Sequence, residues 1–269
     1  MSAIARTKNR LTLAAAGSMV ALLATSVHAG LVTPDFGMVW DASGDNVPSN
    51  PYNPADFGEV IYEANNTVRY LGGFVGEGWA LDWNCLVRDR GQYGGQGFGS
   101  PGGAAFVDAE IVVTNTSAST QTFSILMSMG VSDPILPDSL VNGAVAATVT
   151  NNSFSGGATL NAGLGDSIYK GFIDLVDPFA DTPVATLWDD PYSLSATGAF
   201  ASADDATDFG VPAPIAGPAV NSNVAILLTF ELSPGDSATV SGFLNVIPTP
   251  GVLALLGLAG VTGGRRRRA

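Results

Sequence analysis

Several stretches of the chain alternate apolar and polar residues with the period of a half-buried strand. Trp79, Leu81, Trp83, Cys85 and Val87 share one parity, while Asp82, Asn84 and Arg88 take the other, so the spacing predicts a strand with Cys85 pointing into the core. Val107, Ala109, Ile111 and Val113 oppose Asp108 and Glu110, and Phe123, Ile125, Met127 and Met129 oppose Thr122, Ser124 and Ser128. The polar run from Thr114 to Gln121 between them predicts a hairpin with a long loop. Val224, Ile226, Leu228, Phe230 and Leu232 form another face. Ser233-Pro234-Gly235-Asp236 then turns the chain, and Ala238, Val240, Leu244 and Val246 return. Less regular strand candidates are Val60 to Ala64, Thr67 to Val75, Ala144 to Thr150, Ser167 to Leu175 and Ser193 to Phe200.

No amphipathic helix period separates these stretches. Glycine (33) and proline (16) cluster between them. Some ten short strands with turn punctuation predict an all-β fold, an antiparallel β-sandwich of jelly-roll-like type. Asp35 to Gly58 and Val176 to Asn223 are rich in Pro, Asp, Asn and Ala and read as long loops or an inserted lobe. No internal repeat is evident.

The two ends differ from this body. Met1 to Arg10 is basic, Leu11 to Ala24 is uncharged and mostly apolar, and Val27-His28-Ala29 precedes Gly30. A charged start, an apolar centre and a small-residue site are the parts of a secretory signal peptide, with cleavage expected between Ala29 and Gly30. At the other end Pro248-Thr249-Pro250-Gly251 breaks the chain, Val252 to Val261 is apolar, and Arg265, Arg266, Arg267 and Arg268 close it. As a helix, Val252 to Gly264 rises only about 20 Å, against roughly 30 Å of bilayer hydrocarbon. Arginine stems reach toward the interface and stay cytoplasmic, which places the body outside. The expected organisation is a signal peptide (1–29), an acidic β-sandwich domain (30–246) and a C-terminal sorting or anchor segment (247–269).

Charge sharpens this division. Seven of the eleven basic residues lie in the two ends, and all 24 carboxylates lie between Asp35 and Asp236, so four cations face 24 anions in the middle, a net of −20. Such a body repels phosphates, which excludes nucleic acid as a partner. The only histidine, His28, falls in the leader; the body keeps one lysine, Lys170, and one thiol, Cys85. Ser-His-Asp and Cys-His nucleophilic sites, His-containing zinc sites and an intrachain disulfide are excluded by inventory.

The remaining patterns are weak. Gly97-x-Gly99-x-x-Gly102 has dinucleotide-fingerprint spacing, but Pro101 interrupts it and no helix follows, so a glycine-rich loop is the better reading. Ser167-x-x-Lys170 matches a serine-lysine nucleophile pattern without its partner elements. Gly165-Asp166-Ser167 and Gly235-Asp236-Ser237 resemble esterase motifs that need a histidine base, and read as turns. Asp189-Asp190 and Asp204-Asp205-x-x-Asp208 are dense enough for the two carboxylates of glycoside hydrolysis, although neighbours on a strand point to opposite faces. Ca²⁺ is the cofactor such acids would suit; Asp41-Ala42-Ser43-Gly44-Asp45-Asn46 echoes the start of an EF-hand loop with the wrong spacing. The favoured alternative is that the acids solvate an exported surface. Trp79 and Trp83 read as core, whereas Trp40 and Trp188 lie in loop-like acidic surroundings and are candidates for a binding face.

The C-terminal pattern resembles the PEP-CTERM sorting signal of Gram-negative envelope and extracellular proteins: a Pro-Glu-Pro motif, a short apolar helix and an arginine cluster. Thr249 stands where that family has glutamate. The likeness covers about the last 22 residues. It implies processing by an exosortase-like membrane peptidase and an association with extracellular polysaccharide, while the N-terminal signal peptide implies the Sec machinery and signal peptidase as partners. The expected function is a non-catalytic structural or adhesive protein of the envelope or extracellular matrix. The alternative is a surface carbohydrate-binding module or glycoside hydrolase using loop Trp and Asp residues.

Overall fold

The computed structural model describes residues 36–42, 53–63, 67–89 and 104–249. Among these, the chain is almost entirely β, in fifteen strands and one short 3₁₀ turn, Pro54–Phe57. The strands are β1 (Phe36–Ala42), β2 (Gly58–Tyr62), β3 (Thr67–Gly76), β4 (Trp79–Arg88), β5 (Ala105–Asn115), β6 (Gln121–Gly130), β7 (Ser139–Thr150) and β8 (Gly157–Asn161). They continue with β9 (Ser167–Ile173), β10 (Ala185–Asp189), β11 (Ser193–Thr197), β12 (Ser202–Phe209), β13 (Ile215–Gly217), β14 (Asn223–Leu232) and β15 (Ser237–Pro248).

They form two antiparallel sheets. One has seven strands, ordered β1-β6-β14, with β8-β11 and β9-β10 both reached from the far side of β14. The other has eight, ordered β12-β7-β15-β5-β4-β3-β2, with β13 beside β12 on the same edge of β7. The alternation read from β4, β5 and β6 holds residue by residue: every apolar position named above on those strands is buried. One hydrophobic cluster takes residues from both sheets. Trp79 of β4 meets Phe123 of β6 edge-on at 6.2 Å between centroids, and Phe36 of β1 packs on Tyr70 of β3 at 4.8 Å. The Cys85 thiol on β4 points at Met127 Sδ on β6, 3.9 Å away, and burial pushes it above its ordinary pKa. Tyr169 of β9 is buried, and its hydroxyl crosses to donate to the Phe243 carbonyl on β15, 2.9 Å away.

Two expectations about pairing are corrected. β5 and β6 are not a hairpin, and β14 and β15 do not pair; in each case the chain passes from one sheet to the other. A strand buried on one face can join either sheet without changing its own pattern, so adjacency in sequence misled. β14 lies in mid-sheet and is buried on both faces: Ala225 and Leu227 pack with Phe172 in a second small cluster opposite the main core. The supposed loops are corrected as well. Asp35 to Gly58 contains β1, and Val176 to Asn223 contains β10 to β13, shared between the two sheets rather than forming a separate lobe.

The crossings are clasped by an asparagine. Asn115, the last residue of β5, is fully buried; its Nδ2 donates toward the carbonyls of Ser119 (2.8 Å), Leu232 (3.0 Å) and Ser233 (3.1 Å). Its Oδ1 accepts from the Ser117 N–H (3.0 Å) and hydroxyl (2.7 Å), and its own N–H donates to the Asp236 carbonyl. The buried Asp236 carboxylate accepts from Ser233 Oγ at 2.5 Å and from the Asn152 N–H at 3.2 Å. The β5–β6 crossing, the β14–β15 corner and the start of the β7–β8 loop are thereby tied together.

Candidate functional site

At the C-terminal exit, β15 runs two residues past the expected boundary at 246, with Val246, Ile247 and Pro248 opposite Val141, Leu140 and Ser139 of β7. Thr249 then donates to the Asp138 carbonyl twice, from its N–H at 3.4 Å and its hydroxyl at 3.1 Å. The hydroxyl is a donor, which an ionised glutamate at this position cannot be. Pro248 thus belongs to the last rung of the sheet, and Thr249 is tied to Asp138 just beyond it. Pro250, Arg265 to Arg268, Ala29 and Gly30 lie outside the described residues. So does the apolar run from Val252. Among the described residues no helix is long and apolar enough to cross a membrane.

The tryptophans divide differently from expectation. Trp40 is no loop residue: it lies on β1, 6% exposed, with Trp83 at 5.4 Å and Phe57 and Phe74 each at 5.5 Å. Phe36, Met38, Trp40 and Ala42 are the inward positions of a seven-residue strand, so its role is packing. Trp188 is half-buried on β10 and stacks on Tyr192, with centroids 4.5 Å apart and planes 13° apart. Its φ of 57° is costly for a bulky residue. Register pairing with β9 flanks it, at Leu187↔Tyr169 and Asp189↔Ser167. The Tyr192 hydroxyl donates to Asp205 Oδ2 on β12 at 3.0 Å. Partial burial raises the tyrosine's pKa, and the hydrogen bond and charge of Asp205 raise it further.

The carboxylate groups are spread apart or engaged. Asp189 accepts from Ser167 Oγ at 2.7 Å, and Asp190 accepts from the Gly165 N–H at 3.0 Å, so this pair closes the turns between β8, β9 and β10. Register on β12 places Asp204 and Asp208 on the outer face and Asp205 on the inner one. Asp204 and Asp208 are four residues apart along a strand, roughly 13 Å. Asp208, Ala144, Phe243 and Asp108 form one row across β12, β7, β15 and β5, which puts its two acids roughly 14 Å apart. Glycoside hydrolysis needs carboxyl groups about 5 to 9.5 Å apart, and the backbone spacing of these pairs is wider than that.

Two shallow grooves of about 330 and 320 Å³ lie side by side along these rows, sharing Ala146, Ala206 and Ser241. Burial beside the first raises the Asp108 carboxyl, against smaller lowering by the Ala109 N–H. Ser167 and Lys170 sit at opposite parities of β9, and Lys170 is ion-paired with Asp166. Gly165 and Gly235 take φ of +70° and +79° in turns, as expected for both Gly-Asp-Ser sequences. Among the described residues no three His, Cys, Asp or Glu side chains are grouped so as to hold a metal ion. The glycine-rich tract around Gly97, Gly99 and Gly102 and residues 43–46 of the EF-hand-like stretch lie outside the described residues.

Three features escaped the sequence reading. Tyr192 and its bond to Asp205 join positions 13 residues apart through a turn no local pattern announces. The Asp138 carbonyl that receives Thr249 carries no sequence signal at all. The third was legible: Asn115-x-Ser117-x-Ser119 recurs as Asn151-x-Ser153-x-Ser155, once at the end of β5 and once just past β7. No family model matches the chain, and no curated protein matches it.

Proposed function

We propose that this chain is an exported, surface-sorted, non-catalytic structural or adhesive protein of the cell envelope or extracellular matrix. In this reading the two sheets are the layers of one jelly-roll-like β-sandwich, and their shared aromatic and aliphatic core supports it. The signal peptide is removed between Ala29 and Gly30, and the segment from Pro248 to Arg268 addresses the body to a membrane peptidase of exosortase type. The observation that carries the proposal is the segregation of charge. Every carboxylate lies between two basic, apolar ends, an order that keeps the anionic body on the outer side and the arginines inside. The wide backbone spacing of Asp204 from Asp208 and the opposite parity of Ser167 and Lys170 favour a non-catalytic body over a hydrolase built on those residues.

Changing Arg265 to Arg268 together to glutamine, with the variant expressed in its own host, tests the sorting role. Loss of membrane retention and of tail processing is expected; unchanged retention and processing refute it. A carbohydrate-binding role remains the second reading, favoured by the Trp188–Tyr192 stack. Binding to a glycan array that is lost in Trp188→Ala would support it.

A further inference from the structure

The two Asn-x-Ser-x-Ser turns are the same turn built twice. In each, the buried asparagine Oδ1 accepts from the N–H of the serine two residues on, and that serine's one hydroxyl proton is shared between the same Oδ1 and the carbonyl of the next serine of the motif. The exposed residue between the two serines is Ala118 in the first turn and Phe154 in the second. The turn therefore does not require an aromatic side chain there. Phe154 is nonetheless 86% exposed, and its ring meets that of Phe200, 53% exposed, edge to face at 4.6 Å and 81°. Phe200 lies beyond the end of β11, not on it as its sequence suggested, and holds a left-handed φ of 53° that costs a bulky residue energy.

Backbone bonds tie together the two loops that carry the rings. The Phe200 N–H donates to the Ser153 carbonyl at 3.2 Å, and Asn151 grips the second loop through Gly198 (2.7 Å) and Ala201 (2.9 Å). The two loops carry no charge of their own: 151–157 and 193–202 contain no charged side chain, and the Asp236 carboxylate that meets the Asn152 N–H is buried, on a body of net charge −20. Exposed Asn152, Ser155 and Thr197 supply amide and hydroxyl groups instead.

We propose that Phe154 and Phe200 form a platform for an uncharged polysaccharide, a sugar ring stacking its C–H face on Phe154 while the flanking amide and hydroxyls take its hydroxyl groups. The chemistry and the size both fit. A stable protein partner buries about 1,200 Å² or more, far beyond two rings set among polar side chains. An anionic membrane draws cationic residues to its surface, and these loops have none. The inference rests on the reading of an exported body, where polysaccharide is met, but it concerns the folded domain and not the tail.

The test is depletion of the purified full-length protein by insoluble cellulose, β-1,3-glucan and mannan, with phosphatidylethanolamine–phosphatidylglycerol vesicles in parallel. Wild type is expected to bind at least one polysaccharide. Phe154→Ala should weaken that binding about tenfold at an unchanged melting temperature, and Phe154→Trp should preserve or tighten it. Phe200→Gly should melt higher and bind more weakly. Binding to none of the three, equal binding by Phe154→Ala, or partition onto the vesicles instead overturns the proposal. Because purified protein is used, a failure of export or tail processing leaves this outcome untouched, and the two readings fail separately.

Discussion

Replacing Asn115 by alanine removes the clasp that holds both sheet crossings, and its cost can be worked from the bonds lost. The Nδ2 group has two hydrogens shared among three carbonyls, and Oδ1 accepts from the Ser117 N–H and shares the Ser117 hydroxyl proton with the Ser119 carbonyl, so three hydrogen bonds and part of a fourth are broken. Water can reach Ser117 and Ser119, which are not buried, and replace part of their share. The carbonyls of Leu232 and Ser233 belong to buried residues and are left without the amide. At roughly 1 to 3 kcal/mol for each buried group orphaned, Asn115→Ala should lose about 3 kcal/mol. Asn115→Asp keeps the shape but turns a donor into a charged acceptor facing those carbonyls, and should cost more than alanine. Asn151→Ala should cost less than Asn115→Ala, because its Nδ2 serves one carbonyl, that of Gly198. Urea unfolding of the four proteins ranks them. A loss under about 1 kcal/mol for Asn115→Ala, or an aspartate milder than alanine, would refute the clasp.

Trp40→Ala should cost about 3 to 5 kcal/mol in urea unfolding, as a core truncation does, and Trp188→Ala less; equal small costs would return Trp40 to the surface. Cys85 should resist maleimide labelling until the chain unfolds, since burial disfavours its thiolate; labelling of native protein at the rate of a free thiol would contradict its placement. For Asp174, burial alone would raise the pKa, but hydrogen bonds from Asn221 and Ser222 outweigh it and hold the carboxyl below its ordinary value. Its folded value being the lower one, this stability is present above the ordinary carboxylate range and is lost as pH falls through the folded value. Urea midpoints followed from about pH 6 to 2 should therefore fall less steeply in Asp174→Asn than in wild type.

What could be read in the sequence was set by where each strand lies. β4, β5 and β6 each present one face to the core and one to the outside, and their alternation announced them. β12 (SADDATDF) lies at a sheet edge with no fully buried position, so its only pattern was a run of acids that resembled a chemical cluster. β1 was missed because Gly37 and Asp41 made a seven-residue strand look like loop, which moved Trp40 to the surface in the sequence reading. Sheet membership was not legible at all. Nothing in the patterns of β5 and β6 says that the chain crosses between sheets at Asn115; that depends on partners more than a hundred residues away, such as Leu232. The recurring Asn-x-Ser-x-Ser was visible, but its meaning comes only from the bonds the two copies share.

The central claim concerns the ends of the chain, and the intact mass of the native protein, taken from envelope and culture-medium fractions of its host, tests it most directly. Pairing of β15 through Pro248 and the Thr249 contact with Asp138 add a constraint: a cut before Pro248 would strip rungs from the sheet. The account predicts a mass that begins at Gly30 and ends between Thr249 and Gly251, without the four arginines. A mass that begins at Met1, or one that retains Arg265 to Arg268 in both fractions, would contradict it.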